Sequence, residues 1–131
     1  MASHDLILLD TCALLWLASG AKNLSRAALK RIDASPVVYV SAISGFEIAI
    51  KVAKGELDLP ISPIDWFRKA IDHHRLTYVP LTQDICVADA ELPSHHEDPC
   101  DRFIIATAIA HNWAVATADE RFPKYGIRTF V

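Results

Sequence analysis

The sequence lacks the motifs of several common cofactor and metal sites. Its four glycines do not cluster, so it has no glycine-rich phosphate loop. Its three cysteines, Cys12, Cys86 and Cys100, form no CxxC pair, which excludes a zinc ribbon and a thioredoxin-type motif. An odd number of widely spaced cysteines indicates free thiols in a reducing compartment, so we expect a cytoplasmic protein.

The sequence also lacks long apolar runs and an excess of positive charge. No apolar run approaches the roughly 20 residues of a membrane span, and Met1–Asp10 lacks the basic start of a signal peptide. Thirteen Lys and Arg against 16 Asp and Glu give a net charge of −3. Proteins that bind nucleic acid by bulk electrostatics are strongly basic. Either nucleic acid is not the partner, or a cation bridges an acidic site to phosphate.

What the chain does contain is sufficient for one α/β domain over residues 1–131. Its hydrophobic fraction of 52 % supplies one buried core, and 22 % charged residues is a normal globular share. Short apolar runs predict strands over 6–9, 37–40, 77–81, 114–117 and 128–131. Helices are predicted over 11–19, after Ser25, over 42–54, 64–75, 84–91 and 100–112, and from Asp119. Strands that alternate with helices predict a parallel sheet with helices on both faces.

Several acidic residues stand where the predicted strands end or the following helices begin. Asp10 directly follows the first strand, and Asp119 lies just past the fourth. Asp98 and Asp101 flank the start of the helix over 100–112, and Glu47 lies in the helix after the second strand. Ligands of open parallel sheets sit beyond the carboxyl ends of the strands. We therefore expect several of these acids to converge on one edge of the sheet.

Clustered carboxylates stay ionised only if something offsets their mutual repulsion, which raises pKa values. A divalent cation does so, and an all-oxygen ligand set favours Mg²⁺ or Mn²⁺ over zinc. Such an ion can activate a water and stabilise charge on phosphoryl oxygens. The residues alone therefore indicate a metal–carboxylate site for phosphate chemistry, without choosing the substrate.

Each acid also has a structural alternative. Asp10 and Asp98 precede helices and are candidate N-caps, and Pro99 occupies the favoured first helical position after Asp98. Glu47 stands four residues before Lys51 and can pair with it on a helix. Asp101, three residues after Asp98, can complement the helix dipole. The acid after the fourth strand is a candidate cap for the short helix that follows.

Other residues are predicted to be structural or solvent-exposed. The adjacent histidines at 73–74 and 95–96 are expected at the surface, and Cys12, without a histidine partner, is expected to be a small buried residue. In the helix over 42–54, Phe46 and Ile50 belong to an apolar stripe at helical spacing, which predicts its buried face.

Four motifs in order resemble those of VapC-type PIN domains, the toxins of bacterial toxin–antitoxin pairs. Residues 8–16 resemble the opening LLDT-x-x-LLW, and residues 41–48 resemble the S-x-x-S-x-x-E-I helix. Residues 95–106 are similar to H-x-D-P-x-D-R-x-x-I-A, and residues 116–119 to the closing T-x-D. Each motif is weak by itself, but four in this order are specific, and the resemblance spans Leu6 to Val131.

The resemblance implies a PIN-like three-layer α/β/α fold with a central parallel sheet of four to five short strands. It implies a metal-dependent endoribonuclease that hydrolyses RNA phosphodiester bonds with Mg²⁺ or Mn²⁺. Carried over residue by residue, Asp10, Glu47, Asp101 and Asp119 match the catalytic and metal-binding acids.

The same motifs imply supporting residues around these acids. Thr117 would support the site by hydrogen bonding, and Thr11 adjoins the first acid. Asp98 matches a motif position and is expected to be a helix cap and a supporting residue. Arg102 is expected to orient neighbouring carboxylates rather than to bind substrate.

The resemblance further implies a homodimer and an antitoxin partner, encoded beside the toxin, whose tail enters the active-site groove. Two other functions stay open at this point. One is a non-catalytic PIN-like module that binds RNA or protein. The other is an aspartyl-phosphate protein, although Cys12 stands where a phosphatase of the haloacid-dehalogenase kind has a second aspartate.

Overall fold

The computed structural model describes residues 6–131. We expect that Met1–Asp10 is not a signal peptide, and residues 1–5 of this segment lie outside the described residues. The strands are β1 (Ile7–Leu9), β2 (Val38–Ser41), β3 (Thr77–Val79), β4 (Ala114–Ala116) and β5 (Thr129–Phe130). The helices are α1 (Thr11–Ser19), α2 (Arg26–Ala34), α3 (Ala42–Ala53), α4 (Pro63–His73), α5 (Gln83–Glu91) and α6 (Pro99–His111). A short 3₁₀ helix, Phe122–Tyr125, precedes β5.

The five strands form one parallel sheet in the order β3-β2-β1-β4-β5, with β1 at the centre. Side chains of β1 alternate between two apolar clusters: Ile7 and Leu9 join one, and Leu8 joins the other. Each cluster is completed by helices, so both faces of the sheet are covered, as parallel sheets require. The predicted three-layer α/β fold with a parallel sheet is confirmed.

Polar caps mark the starts of the helices. The side chain before each helix accepts a hydrogen bond from a backbone N–H of its first turn, and these residues are Asp10, Ser25, Ser41, Ser62, Thr82 and Asp98. A cap satisfies donors that have no partner within the helix. Because α1 and α3 follow β1 and β2 without an intervening loop, the caps hold these helix starts at the carboxyl edge of the sheet.

The predicted buried face of α3 is wrong for Phe46 and Ile50, which are both exposed. The helix buries Ser44 and Ile48 instead, which lie four residues apart on a neighbouring stripe. The Ser44 hydroxyl lies 2.9 Å from that of Thr11, and this buried hydrogen bond fixes the Ser44 stripe against α1. Phe46 and Ile50 are thereby turned toward solvent.

The predicted helix from Asp119 is also wrong in its start, because the 3₁₀ helix begins at Phe122. The Asp119 carboxylate accepts a hydrogen bond of 2.9 Å from the backbone N–H of Arg121, which closes a turn before the helix. Asp119 therefore does not cap this helix.

Arg102 holds the connection between α5 and α6. Its guanidinium donates to the backbone carbonyls of Pro93 and His96 at 3.0 and 3.1 Å. It also donates to those of Asp89 and Leu92 at 2.8 and 3.1 Å. Arg102 was expected to orient neighbouring carboxylates, and it pairs with the carboxylate of Asp89 at 3.6 Å. Its planar fork of donors mainly fits backbone carbonyls.

Among the described residues, no helix combines the length and apolar character that a membrane crossing needs.

Replacing Arg102 with lysine should destabilise the protein, because a single ammonium cannot reach four diverging carbonyls. We expect the free energy of unfolding to fall by about 2–3 kcal/mol, since charge-assisted hydrogen bonds to partly buried groups are lost. Urea denaturation followed by circular dichroism measures this difference. Arg68→Lys, at an exposed position on α4, is the matched control. Equal unfolding midpoints for Arg102→Lys and wild type would contradict this role.

Candidate acidic site

Five carboxylates line one cavity of about 240 Å³ at the carboxyl edge of the sheet, and they include the four predicted catalytic acids. Asp10 follows β1, Glu47 lies in α3, Asp101 lies in the first turn of α6, and Asp119 follows β4. The convergence arises because β1 and β4 are neighbours in the sheet and α3 and α6 pack beside each other. The sequence-predicted acids thus share a site.

Asp10 is the most buried of these acids, with 5 % of its surface exposed. One carboxylate oxygen accepts a hydrogen bond of 2.7 Å from the backbone N–H of Ala13, which makes Asp10 the N-cap of α1. Burial raises the pKa of Asp10 to about 6, and nearby Glu47 and Asp119 add to this, although the Thr117 hydroxyl and the Ala13 N–H oppose it. Asp10 is therefore a helix cap, and its carboxylate is buried although burial disfavours its charged form.

Glu47 has a carboxylate oxygen without a partner. Its Oε1 atom is buried and makes no hydrogen bond. The predicted pair with Lys51 is present at 3.8 Å, but it involves the other oxygen, Oε2. A buried acceptor without a donor is costly, so the free oxygen of Glu47 marks a position that favours a cation.

Asp101 shares the first turn of α6 with other negative groups. Burial raises the pKa of Asp101, and the charges of Asp98, Glu47 and Asp10 raise it further, while His96 opposes the shift. Asp98 itself caps α6, as predicted, since one of its carboxylate oxygens accepts from the N–H groups of Cys100 and Asp101 at 2.8 and 3.3 Å. Asp98 also lines the cavity.

Asp119 differs from the other acids because several hydrogen-bond donors surround it. Partial burial opposes its ionisation, but hydrogen bonds from the side chain and backbone of Arg121 and from His96 outweigh burial and hold the pKa of Asp119 well below its usual range. The exposed guanidinium of Arg121 binds both carboxylate oxygens, at 3.0 and 2.9 Å. The backbone N–H of Asp119 donates to the Thr117 hydroxyl at 3.0 Å.

Thr117 and Thr11 support the site in different ways. The buried Thr117 hydroxyl bonds the Asp10 carboxylate and accepts from the Asp119 backbone, so it joins the ends of β1 and β4. Thr11 lines the cavity, but its hydroxyl pairs with Ser44. Thr11 therefore positions α3, the helix that carries Glu47, rather than an acid directly.

His96 was missed as a site residue, and the prediction that it lies at the surface is wrong. Only 2 % of its surface is exposed. Its Nε2 atom lies 2.8 Å from Asp119 and 3.1 Å from Asp101. The prediction treated both histidines of the pair alike, but His95 is exposed and the loop turns His96 inward. The available signal was its position two residues before the capping Asp98, within a motif that contains two site acids.

Cys12 is exposed rather than buried, contrary to prediction. It follows Thr11 near the start of α1 and lines the cavity beside Asp10. Although the residue as a whole is exposed, partial desolvation of its thiol and the charge of Asp10 raise the pKa of Cys12. A thiol held in its protonated form is a poor nucleophile and a poor ligand. The chemistry of the cavity therefore belongs to its oxygen atoms.

These residues fit a hard divalent cation. Burial and the charges of neighbouring acids raise the pKa values of Asp10 and Asp101, and Glu47 has a buried oxygen with no donor. One carboxylate oxygen each from Asp101 and Asp119 and a ring nitrogen of His96 lie within 4.8 Å of one another, a spacing compatible with ligands of one ion. A donor set dominated by carboxylates suits Mg²⁺ or Mn²⁺.

A larger cavity, of about 650 Å³, lies at the opposite edge of the sheet. It is lined at the amino end of β2 by Pro36 and Val38 and by the turn after α4, and its one carboxylate is Asp33. Volume alone does not identify the reactive site, because this cavity lacks convergent acids.

Comparison with known proteins agrees with this arrangement. A family profile described as "PIN domain" matches residues 7–127. The chain is 34 % identical over 120 residues to Ribonuclease VapC22 of Mycobacterium tuberculosis, covering 91 % of each protein. The similarity to these proteins is thus not limited to the acids, because it extends along nearly the whole chain.

Solved structures share the fold at lower identity. The VapBC2 complex from Rickettsia felis bound to a promoter DNA fragment contains a chain with a TM-score of 0.69 and 16 % identity, covering 95 % of this chain and 97 % of that one. A toxin–antitoxin complex from Klebsiella pneumoniae gives a TM-score of 0.66 and 22 % identity, covering 95 % and 96 %. The fold, the family profile and the curated relative agree, and the chain belongs to the PIN-domain family as a relative of the VapC ribonucleases.

Proposed function

We propose that this protein is a metal-dependent endoribonuclease and the toxin of a VapBC-type toxin–antitoxin pair. The observation that carries the proposal is the convergence of Asp10, Glu47, Asp101 and Asp119 on one cavity, with a buried Glu47 oxygen that has no donor. The related Ribonuclease VapC22 supports RNA as the substrate. In this proposal residues 1–131 act as one PIN domain.

The four acids would hold one or two Mg²⁺ or Mn²⁺ ions, directly or through water. When bound, such an ion lowers the pKa of a coordinated water and offsets the charge that grows on the phosphoryl oxygens. Asp10 is fixed by the Ala13 N–H and the Thr117 hydroxyl, so its carboxylate enters the reaction already oriented. Glu47 adds an oxygen that has no competing donor.

Arg121 is a positively charged side chain bound to Asp119, whereas Lys51 lines the cavity itself. Arg121 forms an exposed ion pair with Asp119, and such pairs contribute little stability. A cation that binds Asp119 can therefore displace the guanidinium without a large loss. Once displaced, Arg121 is available to the phosphate backbone of RNA.

Asp10→Asn should abolish RNA cleavage and leave the fold intact. The amide keeps an oxygen that caps α1 but removes the negative charge from the most buried acid of the cavity. We expect at least about a 100-fold loss of cleavage, since loss of one cation ligand or its support typically costs 10–100-fold or more. Cleavage of total RNA with Mn²⁺, followed by gel electrophoresis, measures this effect.

Asp58→Asn, in the exposed loop after α3, is the matched control and should cleave RNA like wild type. Wild-type protein should lose cleavage when a chelator removes the divalent ion. Full cleavage by Asp10→Asn would reject the catalytic assignment. RNA binding without cleavage by any form of the protein would favour the non-catalytic binding module instead.

The stability of the metal-free protein should fall as the pH rises from about 4 to about 7. Asp10, with its pKa raised from 3.8 to about 6, keeps its proton in the folded state where the unfolded chain has lost it. Asp101 is shifted in the same direction. At these two carboxyls the folded state thus binds more protons across this window, so both make the free energy of unfolding decrease with pH, while His74, with its pKa lowered, acts in the opposite direction. Asp119 is shifted the other way, so its contribution is already complete above pH ~4.

Thermal unfolding with a chelator at about pH 5 and about pH 7.5 tests this slope. Mn²⁺ should raise the melting temperature more at the higher pH, because ligands must be deprotonated to bind it. Asp10→Asn should flatten the slope of the metal-free protein, whereas Asp58→Asn should not. If the melting temperature of the wild-type protein instead rises steadily between these two pH values, the result would contradict the raised pKa values of Asp10 and Asp101.

The antitoxin is the protein partner that we propose for this chain. Phe46 of α3, Ile64 of α4 and Tyr78 of β3 are each at least half exposed, at 56, 54 and 50 %. They line a groove of about 480 Å³ between α3 and α4. Contiguous exposed apolar surface of this kind marks interaction sites, and the similar Klebsiella pneumoniae structure is a toxin–antitoxin complex.

Expression of the wild-type chain should arrest bacterial growth, and co-expression with the product of the adjacent short reading frame should restore it. Purified from that co-expression, the two proteins should elute together. A variant with Phe46→Asp should bind the antitoxin at least about 10-fold more weakly, because a charge in an apolar groove is not compensated. Unchanged affinity in this variant would show that the antitoxin binds at another surface.

The mass of the free toxin in solution would show whether it forms the expected homodimer.

A further inference from the structure

The buried histidine between two site acids is the feature that the proposed function leaves unexplained. His96 lies in the loop between α5 and α6, and its side chain is inaccessible to solvent. Its ring packs edge-on against buried Phe122, with ring centroids 5.9 Å apart. The guanidinium of Arg102 holds its backbone carbonyl at 3.1 Å. The position of the ring is therefore determined from several sides.

The hydrogen bonds of the ring determine which nitrogen carries the proton. The Nδ1 atom of His96 lies 3.1 Å from the backbone nitrogen of Asp98. A backbone N–H can only donate, so Nδ1 accepts and has no proton. In the neutral ring the proton then resides on Nε2, which faces carboxylate acceptors.

The Nε2–H group therefore donates a hydrogen bond to Asp119 and lies in close polar contact with Asp101. Nε2 lies 2.8 Å from Oδ2 of Asp119 and 3.1 Å from Oδ2 of Asp101. Asp101 comes from the first turn of α6, and Asp119 follows β4, so no backbone element connects them directly. Because Nε2 contacts both carboxylates, the ring links these two parts of the chain at the site.

We propose that His96 is a positioning residue that holds Asp101 and Asp119 together through its Nε2–H group, and that it is not itself a metal ligand. A ligating Nε2 would have to give up its proton, and the ring would then need a proton on Nδ1, directed at the Asp98 N–H. Two donors would face each other in a site closed to water, which is unfavourable. The proposal rests on the proposed function in one respect: the carboxylates it positions are those that hold the cation.

Two substitutions of His96 test the roles of Nδ1 and Nε2 separately. In His96→Gln the amide nitrogen reaches toward the former Nε2 position and keeps a donor for the acids. In His96→Asn the shorter amide retains an acceptor for the Asp98 N–H but has no donor near the acids. His95→Asn, at the exposed neighbouring position, is the matched control.

Calorimetric titration with Mn²⁺ in the absence of RNA gives the main test. We expect His96→Asn to bind Mn²⁺ about 10–100-fold more weakly than wild type, the usual effect of removing a group that orients ligands. His96→Gln should recover most of this loss, and His95→Asn should bind like wild type. Equal affinity of wild type and His96→Asn would overturn the proposal. No Mn²⁺ binding by wild type would instead reject the proposed function, so the two failures are distinguishable.

Two spectroscopic measurements distinguish positioning from ligation. Long-range proton–nitrogen NMR spectra, with His96 assigned by comparison with His96→Asn, should show the Nε2–H form with and without Mg²⁺. Electron spin echo spectra of the Mn²⁺-loaded protein should show no directly coordinated nitrogen. A ring that loses its Nε2 proton on Mg²⁺ binding, or a coordinated nitrogen, would make His96 a ligand and overturn the proposal. These readouts do not depend on cleavage, and they hold even if His96→Asn is less stable.

Discussion

Repulsion among buried carboxylates is the constraint on which the rest of this structure depends. Asp10 and Asp101 both have raised pKa values because burial and neighbouring acids disfavour their charged forms. The surrounding structure holds them together nevertheless, with the cap of α1, the Thr117 hydroxyl and the His96 ring each restraining a carboxylate. Strain of this kind is kept at a functional site only when the neighbouring fold over-determines it.

The fold supplies that restraint with parallel strands that end at a common edge. The buried apolar run of β1 ends at Asp10, and its neighbour β4 ends just before Thr117, so one hydroxyl reaches across the two strand ends. Arg102 acts at greater distance by binding one carbonyl of α5 and three of the following loop, which determines where the loop turns His96. Asp10 and Asp119 are thus positioned by strand ends, Glu47 and Asp101 by helices, and His96 by a loop.

Much of this arrangement was predictable from local sequence. The apolar run over 6–9 and the capping pattern of Asp98-Pro99 indicate a strand and a helix start without any tertiary information, and both are present. The acids converge because parallel strand ends converge. The burial of His96 was not predictable from its neighbours, because it depends on Arg102 and Phe122, which come later in the chain. Phe46 was misassigned because helical spacing identifies an apolar stripe but does not determine which partner covers it.

The pairing of β1 with β4 brings together segments from opposite ends of the chain, with Leu9 aligned to Ala116. During synthesis, Asp10, Glu47 and Asp101 leave the ribosome before Asp119 and the strand that anchors it. A nascent or C-terminally truncated chain therefore lacks the fourth carboxylate and the Thr117 hydroxyl, and it cannot assemble the cavity. Any nuclease activity of the polypeptide can therefore arise only after this late segment has been synthesised.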